Sequence, residues 1–118
     1  MTETERVGRW GEVLTARYLR DNGYRIVAPN FRVTGGEIDL IAVRGRTLCF
    51  VEVKTRLTEV MLPPSEAVDE AKKQRIRRAS LAFVARYPKY SGMDMRYDIA
   101  EVRSLKRGGI NYIENAFD

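Results

Sequence analysis

Four charged side chains stand in the most hydrophobic part of the sequence, the stretch GGEIDLIAVRGRTLCFVEVKTR at residues 35–56. They are Glu37, Asp39, Glu52 and Lys54. Two carboxylates on neighbouring strands can share Mg²⁺ or Mn²⁺, because these cations prefer hard oxygen ligands and keep water molecules for chemistry. A lysine beside the second acid can position or polarise a water, or offset the charge of a phosphate. The residue types are therefore compatible with metal-dependent hydrolysis.

The segments that carry these charges predict a β-hairpin. Residues 38–43 and 47–53 are rich in Ile, Leu, Val and Phe on both alternating faces, which suits central strands covered on two sides. A tight turn centred on Gly45-Arg46 places Asp39 opposite Glu52 and puts all four charges on one face. Acidic groups held this close repel one another unless a cation neutralises them.

Two purely structural roles would account for the same charges without a metal. Asp39 and Glu52 could each pair with Lys54 or a nearby arginine at a solvated strand end. Alternatively, the acids and the lysine only lock the hairpin, in which case Asp39→Ala or Glu52→Ala destabilises the fold. A metal site instead predicts unchanged or slightly higher stability, since removing one carboxylate relieves repulsion in the metal-free protein.

The amino-acid composition excludes several kinds of catalytic and metal site. A chain of 118 residues is most simply one domain, and the absence of histidine excludes Ser-His and Cys-His nucleophile pairs and histidine zinc sites. The lone Cys49 is expected to be a buried small hydrophobe. A net charge of +5 favours a polyanionic partner such as nucleic acid. No apolar run approaches the roughly 18 residues of a membrane span, and the polar N-terminus favours the cytoplasm, so no membrane partner is expected.

Helices are expected on either side of the hairpin. Residues 3–20 predict an amphipathic helix that ends at Asn22-Gly23, because apolar residues recur at three- and four-residue steps, at Val7, Trp10, Leu14 and Tyr18. A second helix is predicted from a Ser65 cap to about Tyr87. Its expected buried stripe consists of Val68, Ala71, Ile76, Ala79 and Phe83.

Further strands complete the predicted architecture. Residues 24–28 form a short candidate strand, after which Pro29-Asn30 turns the chain toward the hairpin. Residues 95–103 are expected to be a long strand, followed by a turn over residues 106–109 and an edge strand over residues 110–117. The order of elements predicts an α/β fold with a central mixed sheet flanked by helices.

Several motifs together resemble a known family. They are GRWGEVLTARYL, GGEIDLIA, FVEVKTR, SEAVDEAKKQRIRRA, RYDIAEV and ENAF. In combination they look like the YraN-like uncharacterised bacterial family, which is similar to archaeal Holliday-junction resolvases. The spacing of Asp39 and the EVK triplet at 52–54 also resembles the PD-(D/E)XK nuclease signature, with Ile38 in place of its usual proline.

The resemblance implies a restriction-endonuclease-like core and a deoxyribonuclease that uses Mg²⁺ or Mn²⁺, with branched DNA as a candidate substrate. Asp39 and Glu52 would ligate the metal, Lys54 would assist the attacking water, and Glu12 would match an additional acid of resolvase-like members. If the likeness extends to assembly, a symmetric homodimer would place two sites on two strands. For Glu37, ligation and a salt bridge are equally open, and for Glu12 a solvated helix position is the ordinary alternative. A module that binds nucleic acid without cleaving it is the alternative function.

A basic run in the second helix fits a nucleic-acid partner. In KKQRIRR, residues 72–78, five of seven residues are basic. Several of them must lie away from the buried stripe, where they could meet phosphates. The candidate nucleic-acid-binding residues are Lys72, Lys73, Gln74, Arg75, Arg77 and Arg78. A merely solvated helix face explains the run equally well. Arg96 and Asp98 alternate on one strand face and predict a structural ion pair.

Overall fold

The computed structural model describes residues 1–56, 68–103 and 109–118. In chain order the elements are α1 (Glu3–Asp21), β1 (Arg25–Val33), β2 (Gly36–Arg44), β3 (Thr47–Arg56), α2 (Glu70–Arg86), a 3₁₀-helix (Pro88–Tyr90), β4 (Asp94–Arg103) and β5 (Ile110–Phe117). Both α-helices begin at a side-chain cap. Thr2 accepts a hydrogen bond from the backbone N–H of Glu5, and Asp69 accepts one from that of Lys72.

The five strands form one mixed sheet in the order β1-β2-β3-β4-β5. β3 and β4 are parallel, and α2 lies in the connection that such a pair requires, whereas the other neighbouring strands are antiparallel. Arg44 pairs with Thr47 and Leu40 with Val51, so the two-residue turn at Gly45-Arg46 and the predicted hairpin register are confirmed. The predicted α/β fold is also confirmed, and the sheet with its two helices is consistent with a restriction-endonuclease-like core.

The two helices cover opposite faces of the sheet. On the α1 face, Leu19 packs with strand side chains that include Leu40, Cys49 and Val51. On the α2 face, the core contains Ile41, Leu48, Phe50, Ile76, Phe83 and Ile99. Leu48 and Phe50 point to α2 while Cys49 and Val51 point to α1, so Glu52 and Lys54 continue the α2 face. The predicted burial of Cys49 is confirmed.

Two glycines allow the helices to approach the sheet closely at the end where the hairpin charges lie. A Cβ atom on Gly11 of α1 would lie 2.0 Å from the hydroxyl of Thr55 on β3. One on Gly36 of β2 would lie 2.6 Å from the carbonyl oxygen of Arg75 on α2. Because the obstacle at Gly36 is backbone, any larger residue there must displace the helix.

The predicted stripe of α1 is not its most buried face. Val7, Trp10, Leu14 and Tyr18 are half-buried, whereas the buried residues are Gly11, Thr15, Ala16 and Leu19. The residue next to Glu12, Gly11, has no side chain where β3 packs against α1 at Thr55. The apolar stripe of α1 therefore lies at the edge of the contact between α1 and the sheet.

β1 extends beyond its prediction. Pro29 and Asn30 do not turn the chain, because both lie within β1, where Pro29 pairs with Leu40. A proline is tolerated there because β1 is an edge strand. The turn toward the hairpin instead contains Gly35, whose φ of 77° suits glycine.

The second helix begins later than predicted. The predicted cap Ser65 lies outside the described residues, and α2 begins at Glu70 after the Asp69 cap. Ala71 is exposed, contrary to prediction, because it precedes Ile76 by five residues, well off the stripe of a helix with about 3.6 residues per turn. The other predicted stripe residues are buried. The predicted turn over 106–109 lies outside the described residues except for Gly109.

The strands predicted near the C-terminus are confirmed as β4 and β5. Within the described ranges, no helix has the length and apolar character needed to cross a membrane.

Candidate active site

Asp39 and Glu52 meet at the end of the β2–β3 hairpin that lies away from its turn. Asp39 is half-buried, and its Oδ2 accepts a hydrogen bond of 2.8 Å from the backbone N–H of Val53. Glu52 is 4% exposed, and its Oε2 is buried without a hydrogen-bond partner among the described residues. A buried carboxylate oxygen that accepts no hydrogen bond lowers the stability of the fold.

The electrostatics of this pair are unfavourable in the absence of a bound cation. Burial, followed by the charge of Asp39, raises the pKa of Glu52 from 4.5 to about 7. Burial also raises the pKa of Asp39 despite the hydrogen bond from Val53. The two carboxyl groups are close enough to hydrogen-bond when one of them is protonated. The site therefore favours retention of a proton or the binding of another cation.

Two lysines approach Glu52 from different elements. Lys54 on β3 and Lys72 on α2 each place Nζ 3.7 Å from Glu52 Oε1. Both distances are longer than a hydrogen bond, so the ammonium groups offset the charge without binding the carboxylate tightly. Lys54 remains about one-third exposed at its side chain, which leaves its ammonium accessible.

Glu37 forms salt bridges on the outer side of this cluster. Its carboxylate lies 2.9 Å from Lys72 Nζ, 3.3 Å from Arg75 and 3.8 Å from Arg32. The hydrogen bond from Lys72 lowers the pKa of Glu37 more than burial raises it, and the three cations add to the decrease. Of the two roles left open for Glu37, the structure therefore supports the salt bridge.

Glu12 lies on α1 across from Asp39, at the edge of an open cavity of about 670 Å³ between α1 and β1. Gly8, Arg9, Asn30 and Arg32 also line this cavity. Burial raises the pKa of Glu12, and the charge of Asp39 raises it further. The structure thus places Glu12 near enough to Asp39 for electrostatic coupling and beside space that a ligand could enter.

The donor set fits a divalent cation. Asp39 and Glu52 offer hard oxygen ligands, and the unpartnered Oε2 of Glu52 retains its capacity to coordinate. Over residues 1–56, 68–103 and 109–118, no group of three His, Cys, Asp or Glu side chains is arranged to hold a metal. Mg²⁺ is compatible with such a site because it commonly binds through one or two carboxylates and keeps several waters.

The basic run of α2 makes many contacts within the protein. Lys72 faces the acids, Lys73 lies over the Phe117 ring, and Arg75 binds Glu37. Gln74 and Arg77 both donate to Glu70. Arg77 also donates to the carbonyl of Asp118, and Arg78 donates to the carbonyl of Gly35. Binding of phosphates by this run stays a prediction, and any phosphate would compete with these partners.

The position of Lys72 is the main feature that the sequence reasoning missed. It precedes Ile76 by four residues, so it shares the sheet-facing stripe that Ile76 marks. That spacing could have distinguished Lys72 from the more exposed Arg75 and Arg78. The strand-end pair Arg56 and Arg103 was missed as well, although Glu52, Lys54 and Arg56 visibly alternate along one strand.

Comparison with known proteins identifies the family. The model of uncharacterised protein family UPF0102 matches residues 11–102. A UPF0102 protein of Alkaliphilus metalliredigens is 42% identical over 111 residues, which cover 94% of this chain and 96% of that protein. One of Chlorobium chlorochromatii is 46% identical over 98 residues, which cover 81% and 73% of the two chains.

Among solved structures, SfsA of Pyrococcus furiosus in complex with Ca²⁺ matches with a TM-score of 0.38 and 16% identity, over 95% of this chain and 64% of that one. No property is transferred at this level of similarity. The family model and the sequence relatives confirm the family that the motifs resemble. The chain belongs to uncharacterised protein family UPF0102.

Proposed function

We propose that this protein is a divalent-cation-dependent endonuclease that hydrolyses phosphodiester bonds of DNA. The observation that carries the proposal is the convergence of Asp39 and Glu52 at one end of the sheet, with one buried carboxylate oxygen unpartnered among the described residues and the Lys54 ammonium 3.7 Å from the other. A buried acid whose pKa is raised by burial and by a neighbouring acid, as that of Glu52 is, is typical of functional sites.

Each residue has a distinct role in this proposal. Asp39 and Glu52 would hold Mg²⁺ or Mn²⁺, which when bound supplies an activated water and neutralises phosphate charge. Lys54 orients the attacking water and offsets charge on the phosphate. The water oxygen forms a new bond to phosphorus as the water loses one proton, one bridging P–O bond breaks, and the departing oxygen gains one proton.

Glu12 is the third acid of the proposed site. Its raised pKa and its position on the cavity wall suit a group that holds or exchanges a proton near Asp39. Its exposure on the cavity side also allows it to act on a water. Glu12→Gln is expected to reduce cleavage less than substitution of either Asp39 or Glu52.

Several features support a nucleic-acid substrate. The net charge is +5, and the candidate site is bordered by Arg32, Lys54 and Arg75, which retain exposed side-chain surface. The preference for branched DNA and the symmetric homodimer rest on the resemblance to resolvases alone.

A cleavage assay tests the proposal. Labelled four-way junction, flap, duplex and single-stranded DNA are incubated with the protein in Mg²⁺, Mn²⁺ or EDTA, beside Asp39→Asn, Glu52→Gln and the control Asp94→Asn. Asp94 is exposed at the start of β4, so its variant tests for nonspecific effects of losing an acid. We expect metal-dependent cleavage that falls at least about a hundredfold in the two site variants and not in the control.

The alternative function is a module that binds nucleic acid without cleaving it. The observation in its favour is that Lys72 and Lys54 already offset the charge of Glu52. DNA binding without cleavage, equal in wild type and both site variants, would contradict the nuclease and support this alternative.

A further inference from the structure

A second charged cluster lies at the carboxyl ends of the parallel strands β3 and β4. Arg56 and Arg103 are register partners, and Glu101 lies between their side chains. Glu101 Oε1 accepts hydrogen bonds from Nε and Nη2 of Arg103, at 2.9 and 2.6 Å. Arg56 Nε lies 3.4 Å from Glu101 Oε2, and neither of these two atoms has a hydrogen-bond partner among the described residues.

The cluster contains more positive charge and more donors than its carboxylate uses. Two guanidinium groups carry ten N–H donors in total, because each carries five, and they face one carboxylate with a net local charge of +1. The Glu101 side chain is 1% exposed, whereas those of Arg56 and Arg103 are 21% and 29% exposed. The buried acid thus contacts both guanidinium groups, and both arginine side chains keep some solvent-exposed surface.

The cluster lies on the same face of the sheet as the candidate active site. Glu52, Lys54 and Arg56 alternate along β3, so their side chains point the same way. Four residues of strand separate Glu52 from Arg56 by about 13 Å. At an axial rise of about 3.4 Å per nucleotide along a B-DNA strand, this distance corresponds to a few nucleotides.

We propose that Arg56 and Arg103 form a binding subsite for a backbone phosphate of the nucleic-acid strand, a few nucleotides from the bond cleaved at Asp39 and Glu52. Glu101 is a positioning residue that fixes the orientation of both guanidinium groups. Paired guanidiniums suit a phosphate because each presents planar, bidentate donors. This inference rests on the proposed function, since it takes the same strand as its ligand.

A purely structural role, in which the two arginines only neutralise Glu101, competes with this proposal. Salt dependence of binding separates the two, because each phosphate contact adds to the slope of the logarithm of the binding constant against the logarithm of salt concentration. Binding of a fluorescein-labelled four-way junction and a labelled single strand is measured by fluorescence anisotropy in EDTA over a range of salt. We expect Arg56→Gln and Arg103→Gln each to reduce the slope by about one and the affinity about tenfold.

Single arginine variants leave Glu101 less neutralised and can fail to fold. Two variants that both lack the buried acid are therefore compared with each other as well. Glu101→Gln removes the buried acid, and Arg56→Gln/Glu101→Gln then removes one arginine from a background in which no buried acid requires it. The control is Arg46→Gln, an exposed arginine in the turn at the other end of β3. The double variant is expected to show the loss of slope and affinity relative to Glu101→Gln, and the control is expected to bind like wild type.

The outcomes distinguish failure of the phosphate subsite from failure of the proposed nuclease. Equal slopes and affinities for Glu101→Gln and the double variant would overturn the subsite, as would absence of DNA binding by the wild type. A loss in the double variant supports the subsite even when the wild type cleaves no DNA, in which case only the nuclease proposal fails. Cleavage that depends on Asp39 and Glu52, with unchanged slopes, would retain the nuclease and remove the subsite.

Discussion

Two buried carboxylate sites lie on opposite faces of the sheet and differ in how fully their oxygens are satisfied. On the α1 face, Asp98 is fully buried and both oxygens accept hydrogen bonds, from Arg96, from the Tyr112 hydroxyl and from the backbone N–H of Asn115. On the α2 face, Glu52 is almost as buried, yet its Oε2 has no partner among the described residues and two lysines stand 3.7 Å from Oε1.

The difference indicates which acid contributes to the stability of the fold and which acid lowers it. Removing a buried carboxylate whose oxygens are all bonded, beside a guanidinium, strongly destabilises the native state, because the partners are left buried and unpaired. A carboxylate near a second acid, without a full set of donors, destabilises the protein unless another ligand binds. We therefore interpret Asp98 as a structural carboxylate, and we propose that Asp39 and Glu52 form the functional pair.

The largest effect is expected at Asp98. Asp98→Ala leaves Arg96 mostly buried without its carboxylate and should lower the free energy of unfolding by about 3–5 kcal/mol. Urea unfolding measures this change, with the exposed Asp94→Ala on the same strand as the control. A loss below about 1 kcal/mol would remove the contrast between the two sites.

Glu52→Gln should act in the opposite direction. Because the pKa of Glu52 is raised to about 7 from 4.5, the folded state keeps a proton that the unfolded chain loses, so wild-type stability falls as pH rises between these values. The free energy of unfolding of the wild type falls by at most about 3 kcal/mol over this range. Without metal, Glu52→Gln should be at least as stable as wild type at pH 8 and show a weaker pH dependence in urea titrations at pH 5 and 8. A clear loss of stability at pH 8 would make Glu52 a structural lock like Asp98.

Tyr112→Phe tests one hydrogen bond of the structural site. The variant removes the hydroxyl that donates to Asp98 while retaining the ring that stacks on Tyr18. We expect a loss of about 1.5–3 kcal/mol in urea unfolding, since the bond is to a charged acceptor. Tyr87→Phe, on a side chain that is 38% exposed, provides the control and should change stability little.

Lys72→Met should give the smallest effect. The lysine binds Glu37 at 2.9 Å and offsets the charge of Glu52, so its loss should cost about 1 kcal/mol at pH 8. It should also raise the pKa of Glu52 further, which extends the fall in stability to higher pH. Lys73→Met is the matched control on the neighbouring helix position. An unchanged pH profile in Lys72→Met would show that Lys72 does not interact with the acid pair.

The fold was largely predictable because its signals are local. Alternation of apolar residues indicated the central strands, and Gly45-Arg46 indicated the turn that fixes their register. The turn predicted at Pro29-Asn30 was wrong, since an edge strand tolerates residues that would interrupt a central one. Which face of α1 packs most closely depends on the contact between Gly11 and Thr55, which are far apart in sequence.

The site was predictable in part for the same reason. Asp39 and Glu52 meet because the hairpin register is local, whereas Lys72 reaches them from a helix whose placement depends on the close approach at Gly36. The hydrogen bonds that Asp98 receives from Tyr112 and Asn115 cross from β4 to β5, so only its pairing with Arg96 was visible in the sequence.

We propose that Asp39 and Glu52 form a pair that a divalent cation completes. Thermal unfolding of wild type and Asp39→Asn with and without Mn²⁺ tests it most directly. At about a hundred times its dissociation constant, Mn²⁺ should stabilise the wild type by about 2.7 kcal/mol and leave Asp39→Asn unchanged. An identical melting temperature of the wild type with and without Mn²⁺, or an equal rise in Asp39→Asn, would contradict the account.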